Sequence, residues 1–249
     1  MKKVLCIVLF SIFILGCDNP ADCVKSTGRL VSREVEVTSF EKINVFKQIG
    51  LVLKQGDFHK VEVRTGENLI DDIEVIVQDN TLILKDNTSC NWVRDYGQTI
   101  VYITAPNITE IRSKTEQNIV SDGLLTYPTL TLIALDKDGD GIEGAGTGDF
   151  ILELDCNQLT IGNNNVANYY LSGKTTDCFV GFYNGNGILR AENLEVTNLG
   201  LYHRGFNDMH VNVIQTITGD LYATGNLVIY STPATVNVIR HYQGRVIYN

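Results

Sequence analysis

Beyond residue 16 the sequence has no uncharged apolar run of 18 residues, so no later segment is suited to cross a bilayer as a helix. No stretch outside the leader keeps a 3.6-residue apolar period over eleven residues or more, which argues against helical and α/β architectures. Basic charge is scarce: 20 Lys and Arg stand against 29 Asp and Glu, a formal net charge of −9. Such a chain does not seek nucleic acid or anionic lipid by charge. Catalytic fingerprints are missing too, with no HExxH, GxSxG, P-loop or dinucleotide motif. No CxxC or zinc-spaced cysteine pair is present. The four histidines, His59, His203, His210 and His241, form no metal motif. His203 and His210, seven apart, would face opposite sides of one straight strand.

What the chain does have begins with its leader. Met1-Lys2-Lys3 precedes an uncharged run from Val4 to Gly16. As a helix that run spans about 20 Å, short of the roughly 30 Å hydrocarbon core, so it reads as a signal peptide over residues 1–16. It ends Ile14-Leu15-Gly16-Cys17, which resembles the bacterial lipobox and makes Cys17 the lipid-accepting residue. Residues 17–30 then form a lipidated tether, and the mature body is expected to be exported and anchored to the cell envelope. Outer membrane is the expected address. Loss of Lys2 and Lys3 with the leader takes the formal charge from −9 to −11. Cys23, Cys90, Cys156 and Cys178 remain after Cys6 leaves and Cys17 is lipidated. Export permits disulfides, three pairings are possible, and buried free thiols are an equal alternative. Cys156 and Cys178 each follow an aspartate, as if at matching positions of neighbouring units.

The body, residues 31–249, reads as strands. "REVEVTS" alternates Val35 and Val37 with polar residues. "GLVLKQGDFHKVEVRTG" predicts two strands around Gln55-Gly56-Asp57, with Leu51 and Leu53 facing Val61 and Val63. "DDIEVIVQDNTLILKD" predicts a hairpin turning at Asp79-Asn80, with Ile73, Val75 and Val77 against Leu82 and Leu84. "GENLIDDI" allows one helical turn. "QTIVYITAPNITEI" is extended and breaks at Pro106-Asn107. Only four prolines and 22 glycines fit an all-β body with many corners.

Residues 31–118 are read as N-terminal strands and 119–249 as a repeat region. A polar residue followed by an apolar one recurs at Asp149-Phe150, Asn168-Tyr169, Gly187-Ile188, Asp208-Met209 and Asp220-Leu221, at spacings of 19, 19, 21 and 12. A period near 20 with tight corners predicts a right-handed parallel β-helix, whose strands stack about 4.8 Å apart. Asparagines of "IGNNNVAN" are placed to hydrogen-bond from level to level. The alternative is an antiparallel β-sandwich.

The corners "GTGDF", "NGNGI" and "TGDL", the strand Phe40-x-x-Ile43-x-Val45, "LVLKQGD", "VEVRTGENL" and the lipoprotein start carry a further likeness. Together they make residues 35–249 resemble the putative auto-transporter adhesin, head GIN domain family. That resemblance implies an exported Bacteroidetes-type protein of right-handed β-helical fold with a surface-binding role.

"DKDGDG" offers the sharpest chemical motif. Asp136, Asp138, Asp140 and Gly141 match the start of a calcium loop, but the twelfth position is Thr147 and the flanks are strands. These three aspartates are the calcium candidates, and a solenoid corner explains the same residues. No other cofactor is implied. Tyr169, Tyr170, Phe182, Tyr183 and Tyr202 either stack sugars or fill the core. The function read from the sequence is a non-enzymatic, lipid-anchored envelope adhesin or scaffold, partnered by the membrane and by a surface glycan or protein. The alternative is a carbohydrate-active enzyme, for which Lys174, Arg190 and Arg204 would have to meet Asp177, Glu192 or Asp208.

Overall fold

Asp79 and Asn80 both adopt positive φ, 49° and 61°, as a two-residue hairpin turn demands. The hairpin they close is the one the sequence predicts, with Val77 opposite Leu82 and Val75 opposite Leu84. It belongs to a computed structural model that describes residues 22–88, 90–95, 97–136, 144 and 146–249. Among these residues seventeen strands follow one another. The first nine are β1 (Leu30–Val35), β2 (Lys42–Phe46), β3 (Ile49–Gln55), β4 (Lys60–Gly66), β5 (Ile73–Gln78), β6 (Thr81–Asp86), β7 (Thr99–Ala105), β8 (Glu110–Lys114) and β9 (Ile119–Leu125). The others are β10 (Thr129–Ala134), β11 (Phe150–Asn163), β12 (Tyr169–Phe182), β13 (Leu189–His203), β14 (Met209–Leu221), β15 (Leu227–Ile229), β16 (Thr235–Arg240) and β17 (Val246–Tyr248). The helical turn expected near "GENLIDDI" is a short 3-10 turn at Ile70–Asp72. Among the described residues no helix is long and apolar enough to cross a membrane.

All seventeen strands join one sheet. It has mixed orientation and curls around a shared core into a nearly closed, barrel-like form. The expected right-handed parallel β-helix is therefore corrected. Parallel pairs predominate, but β1–β4, β4–β7 and β5–β6 are antiparallel members of the same sheet. The antiparallel sandwich is not found either. A sequence period reports only which positions fall side by side. It is blind to strands such as β4, which enter the sheet reversed and out of period.

The second expected hairpin shows the same blindness. β3 and β4 exist with nearly the predicted bounds, yet they do not pair with each other. β7 lies between them, parallel to β3 and antiparallel to β4. Leu51 and Val63 thus both flank Val101, and Leu53 and Val61 both flank Ile103. Alternation fixes which face of a strand is buried, whereas the choice of neighbour is a long-range matter.

From β11 onward the chain stacks in parallel, and the core side of the first segment reads Phe150, Tyr169, Leu189, Met209, Leu227 and Val246. Successive offsets are 19, 20, 20, 18 and 19. This corrects two of the sequence-derived corners. The residue entering the core after "NGNG" is Leu189 and not Ile188. The partner of Met209 is Leu227, while Leu221 lies in another column, beside His203. The irregular spacing of 12 came from counting a residue of the wrong column. Cys156 and Cys178 likewise are not matched, since Cys156 faces Thr175 and Cys178 faces Leu159.

Polar corner residues bond across levels as expected for asparagine. Asn168 Nδ2 donates to Asp149 Oδ1 at 2.9 Å, and Asn226 Nδ2 to Asp208 Oδ1 at 2.9 Å. Glycine is required where the levels press together. A Cβ on Gly185 would meet Asn165 O at 2.3 Å, and one on Gly244 would meet Gly225 O at 2.4 Å.

At the other end of the chain, Cys23 is disulfide-bonded to Cys90. Arg29 pairs with Glu67 and Asn68 Nδ2 donates to Ser26 O, so residues 23–29 lie against the body. Cys156 and Cys178 are free and buried. Burial pushes both thiols above their ordinary pKa, and Cys156 adds to the effect at Cys178.

His203 is fully buried at the end of β13. Its Nε2–H donates to Asn207 O at 3.0 Å and its Nδ1 accepts from Gly205 N–H at 3.4 Å, which is the pattern of a neutral ring. Burial lowers its pKa from 6.5, against smaller opposing effects of Asn207 and Asp208. The unfolded chain takes up a proton near the ordinary value while the folded chain resists it. This contribution to stability is therefore full above pH 6.5 and is lost as pH falls towards the folded pKa. Urea midpoints measured from about pH 8 to about pH 5 should fall on acidification, and His203→Gln should flatten the decline.

Candidate functional site

Three register breaks in neighbouring strands shape a groove lined by residues of four strands. Between Val120 and Leu124, β9 places three residues opposite the single Leu152 of β11. Between Tyr170 and Ser172 of β12 lies one residue, while β13 has two, Ala191 and Glu192. Between Ala191 and Glu195, β13 has three more residues than β14 has between Val211 and Asn212. Extra residues leave a strand bulged, because they have no ladder partner and must swing out. β9 and β13 therefore stand up as two walls, with β11 and β12 as the floor between them. At ordinary strand spacing the walls are roughly 14 Å apart. Gly123 in the first wall has a φ of 87° and open space where a side chain would be.

The groove holds about 450 Å³. Ile151 and Tyr170 are adjacent outward residues on its floor and are 40% and 42% exposed. Arg190 follows Tyr170 in the same row, and His210 follows Arg190. Polar groups converge from both walls: Ser121 from the first, Glu192 and Asn193 from the second, with Glu153 and Ser172 from the floor. Arg190 Nη1 lies 4.0 Å from Glu192 Oε1. Glu192 Oε2 is buried and has no hydrogen-bond partner within the described chain. Ser121 Oγ accepts the Glu153 N–H at 2.9 Å. Beside the groove, His210 Nδ1 lies 3.1 Å from Tyr230 Oη, and burial followed by the Arg190 charge lowers the His210 pKa.

A second row of outward groups runs across the later strands. Tyr183, Tyr202, Tyr222 and His241 follow one another with ring centroids 5.5, 4.9 and 4.1 Å apart. Gly181 makes the first of these possible, since a Cβ there would collide with the Tyr183 ring. His241 Nε2 lies 2.7 Å from Asp220 Oδ1, which fixes the last ring.

The five aromatics picked from the sequence thus divide. Tyr169 and Phe182 fill the core, where Tyr169 stacks on Phe150 at 4.9 Å. Tyr170 and Tyr183 are exposed and Tyr202 is half-buried. Of the basic and acidic candidates, only Arg190 and Glu192 are brought together. Lys174 pairs with Asp155, and Asn198 donates to Asp177. Nothing in the sequence pattern singles out Ser121, Glu153, Ser172 or Asn193. A signal for Tyr222 and His241 did exist, because they continue the near-constant offset that links Tyr183 to Tyr202.

Of the calcium candidates, Asp138 and Asp140 lie outside the described residues, as does the lipidation candidate Cys17. Asp136 is described. Its Oδ1 accepts from Asn165 Nδ2 at 2.9 Å, its N–H donates to Asn164 Oδ1, and its carbonyl accepts from Asn164 Nδ2. It is thus tied to the adjacent asparagine corner. Among the described residues no three His, Cys, Asp or Glu side chains gather as a metal site.

The family described as "Putative auto-transporter adhesin, head GIN domain" matches residues 39–233. No curated protein matches the chain. Among solved structures, a putative adhesin from Bacteroides fragilis aligns with a TM-score of 0.79 at 20% identity, over 90% of this chain and 99% of its own. A putative adhesin from Parabacteroides merdae gives 0.62 at 15% identity, over 90% and 98%. A putative lipid binding protein from Parabacteroides distasonis gives 0.63 at 13% identity, over 89% and 98%. Identities this low speak for the shared fold alone.

Proposed function

This chain belongs to the putative auto-transporter adhesin, head GIN domain family, and from that membership we propose that it is an exported binding module of the cell envelope that acts without catalysis. Its ligand sits in the groove between the β9 and β13 bulges. The observation that carries this reading is the groove itself. Bulges weaken a sheet, and here two of them flank a floor that presents an exposed tyrosine among convergent polar groups.

A panel of purified envelope proteins and glycans, immobilised and probed with the full chain, tests the reading. Binding to a panel member that is lost in Tyr170→Ala supports it. Binding that is indifferent to Tyr170, or no binding at all, overturns it. Release of product from any panel glycan would overturn the non-catalytic part, since Glu153, Glu192 and Arg190 share the groove.

Anchoring by lipid on Cys17, at the outer membrane, completes the proposal. The lipobox-like Ile14-Leu15-Gly16-Cys17 supports it. Metabolic labelling with a fatty acid should mark the wild-type chain and leave Cys17→Ala unmarked. Equal labelling of both would end the anchor reading.

A further inference from the structure

We infer that the groove, on the binding-module reading above, takes a neutral, hydroxyl-rich sugar and rejects acidic ones. Its size comes first. At about 450 Å³ it falls in the range of small-molecule sites, roughly 300–1,000 Å³. An occupant is therefore one or two rings, free or within a chain.

The lining then selects the chemistry. Tyr170 and Ile151 lie side by side and exposed, giving an apolar platform one strand spacing wide. A sugar ring has an apolar face of C–H groups that suits such a platform and a rim of hydroxyls that does not. The rim needs acceptors and donors, and the walls supply both. Glu192 Oε2 is a buried acceptor without a partner in the described chain, a costly state for a charged group. The Glu192 side chain is 29% exposed, and a turn that brings this oxygen to a ligand hydroxyl removes that cost. Asn193 offers an amide on the same wall.

Charge decides between classes of sugar. Glu153 and Glu192 line the groove against the single guanidinium of Arg190, which faces Glu192 at 4.0 Å. The lining is net negative, and a uronate or phosphate would meet uncompensated carboxylate. Hydroxyls accept and donate without that penalty.

The test is a calorimetric titration of the full chain in a detergent without a sugar headgroup. Probes are dimers and trimers of glucose, mannose and N-acetylglucosamine, with galacturonate dimers as the acidic comparison. Saturable binding of at least one neutral probe is expected, with none for galacturonate. Glu192→Gln and Tyr170→Ala should each weaken it about tenfold, the loss of one charge-assisted hydrogen bond or one ring platform. Tyr222→Ala, in the separate row of rings, should change nothing. The inference is overturned if galacturonate binds as tightly, or if Tyr222→Ala and not Tyr170→Ala removes binding. It is also overturned if no neutral probe binds while the panel above still shows a Tyr170-dependent protein partner, an outcome that leaves the binding-module reading standing. If neither experiment finds a ligand, both fall. Melting curves matching wild type confirm that the variants, altered at half-buried or exposed positions, remain folded.

Discussion

Loss of the Cys23–Cys90 bond should lower the stability of the chain by about 4 kcal/mol. The two cysteines are 67 residues apart. Linking them removes the entropy of a loop of that length from the unfolded chain, and the cost returns when the link is cut. The bond also holds the first described residues against the body, where Lys25 pairs with Asp72 and Arg29 with Glu67. Those ion pairs are partly exposed and contribute little by themselves. Denaturant unfolding of the Cys23→Ser, Cys90→Ser double variant measures the loss. A loss under about 1 kcal/mol would show that the unfolded chain gains little from the link. Alkylation of the denatured, unreduced protein gives an independent check, because it should modify Cys156 and Cys178 while sparing Cys23 and Cys90. In the native protein the same two thiols should resist, since both are buried and burial raises their pKa.

Phe182→Ala should cost about 3–5 kcal/mol. Phe182 is fully buried, with ring centroids 5.8 Å from Tyr169 and 6.0 Å from His203. Truncation removes ring contacts to both neighbours and leaves a cavity that stacked strands cannot collapse into without breaking their ladders. Tyr169→Phe should behave in the opposite way. The Tyr169 hydroxyl is buried with no hydrogen-bond partner in the described chain, and burial raises its pKa. Deleting that oxygen keeps the stack on Phe150 and removes an uncompensated polar group, so a neutral or stabilising change of about 1 kcal/mol is expected. Urea unfolding of the two variants side by side separates the cases. A clear loss in Tyr169→Phe would mean that the hydroxyl is bonded, by a water for example.

Tyr169 and Tyr170 show where the sequence stops. Alternation along β12 dictates that one of them faces inward, but not which one is left accessible beside a groove. That second fact depends on β9 and β13 bulging on either side, and on a register that only the paired strands define. Glu192 and Arg190 are close in the chain, so their meeting is local. Ser121 and Glu153 meet them only through the stacking of four strands.

By itself the sequence determined that the body is built of strands, that Asp79-Asn80 turns a hairpin, and that the family is the one described as putative auto-transporter adhesin, head GIN domain. These are local or compositional properties: side-chain alternation, positive-φ residues at turns, and corner wording. Tertiary structure decided the rest. Cys23 joins Cys90 because the chain folds back across the N-terminal strands, and no spacing rule could choose that pairing. β7 comes between β3 and β4, three antiparallel pairs turn an expected β-helix into one mixed and nearly closed sheet, and Asp136 is tied to the asparagine corner. Each outcome rests on contacts between residues far apart in the chain. Such contacts are set by the packing of one common core, and a period of about 20 residues carries no record of it.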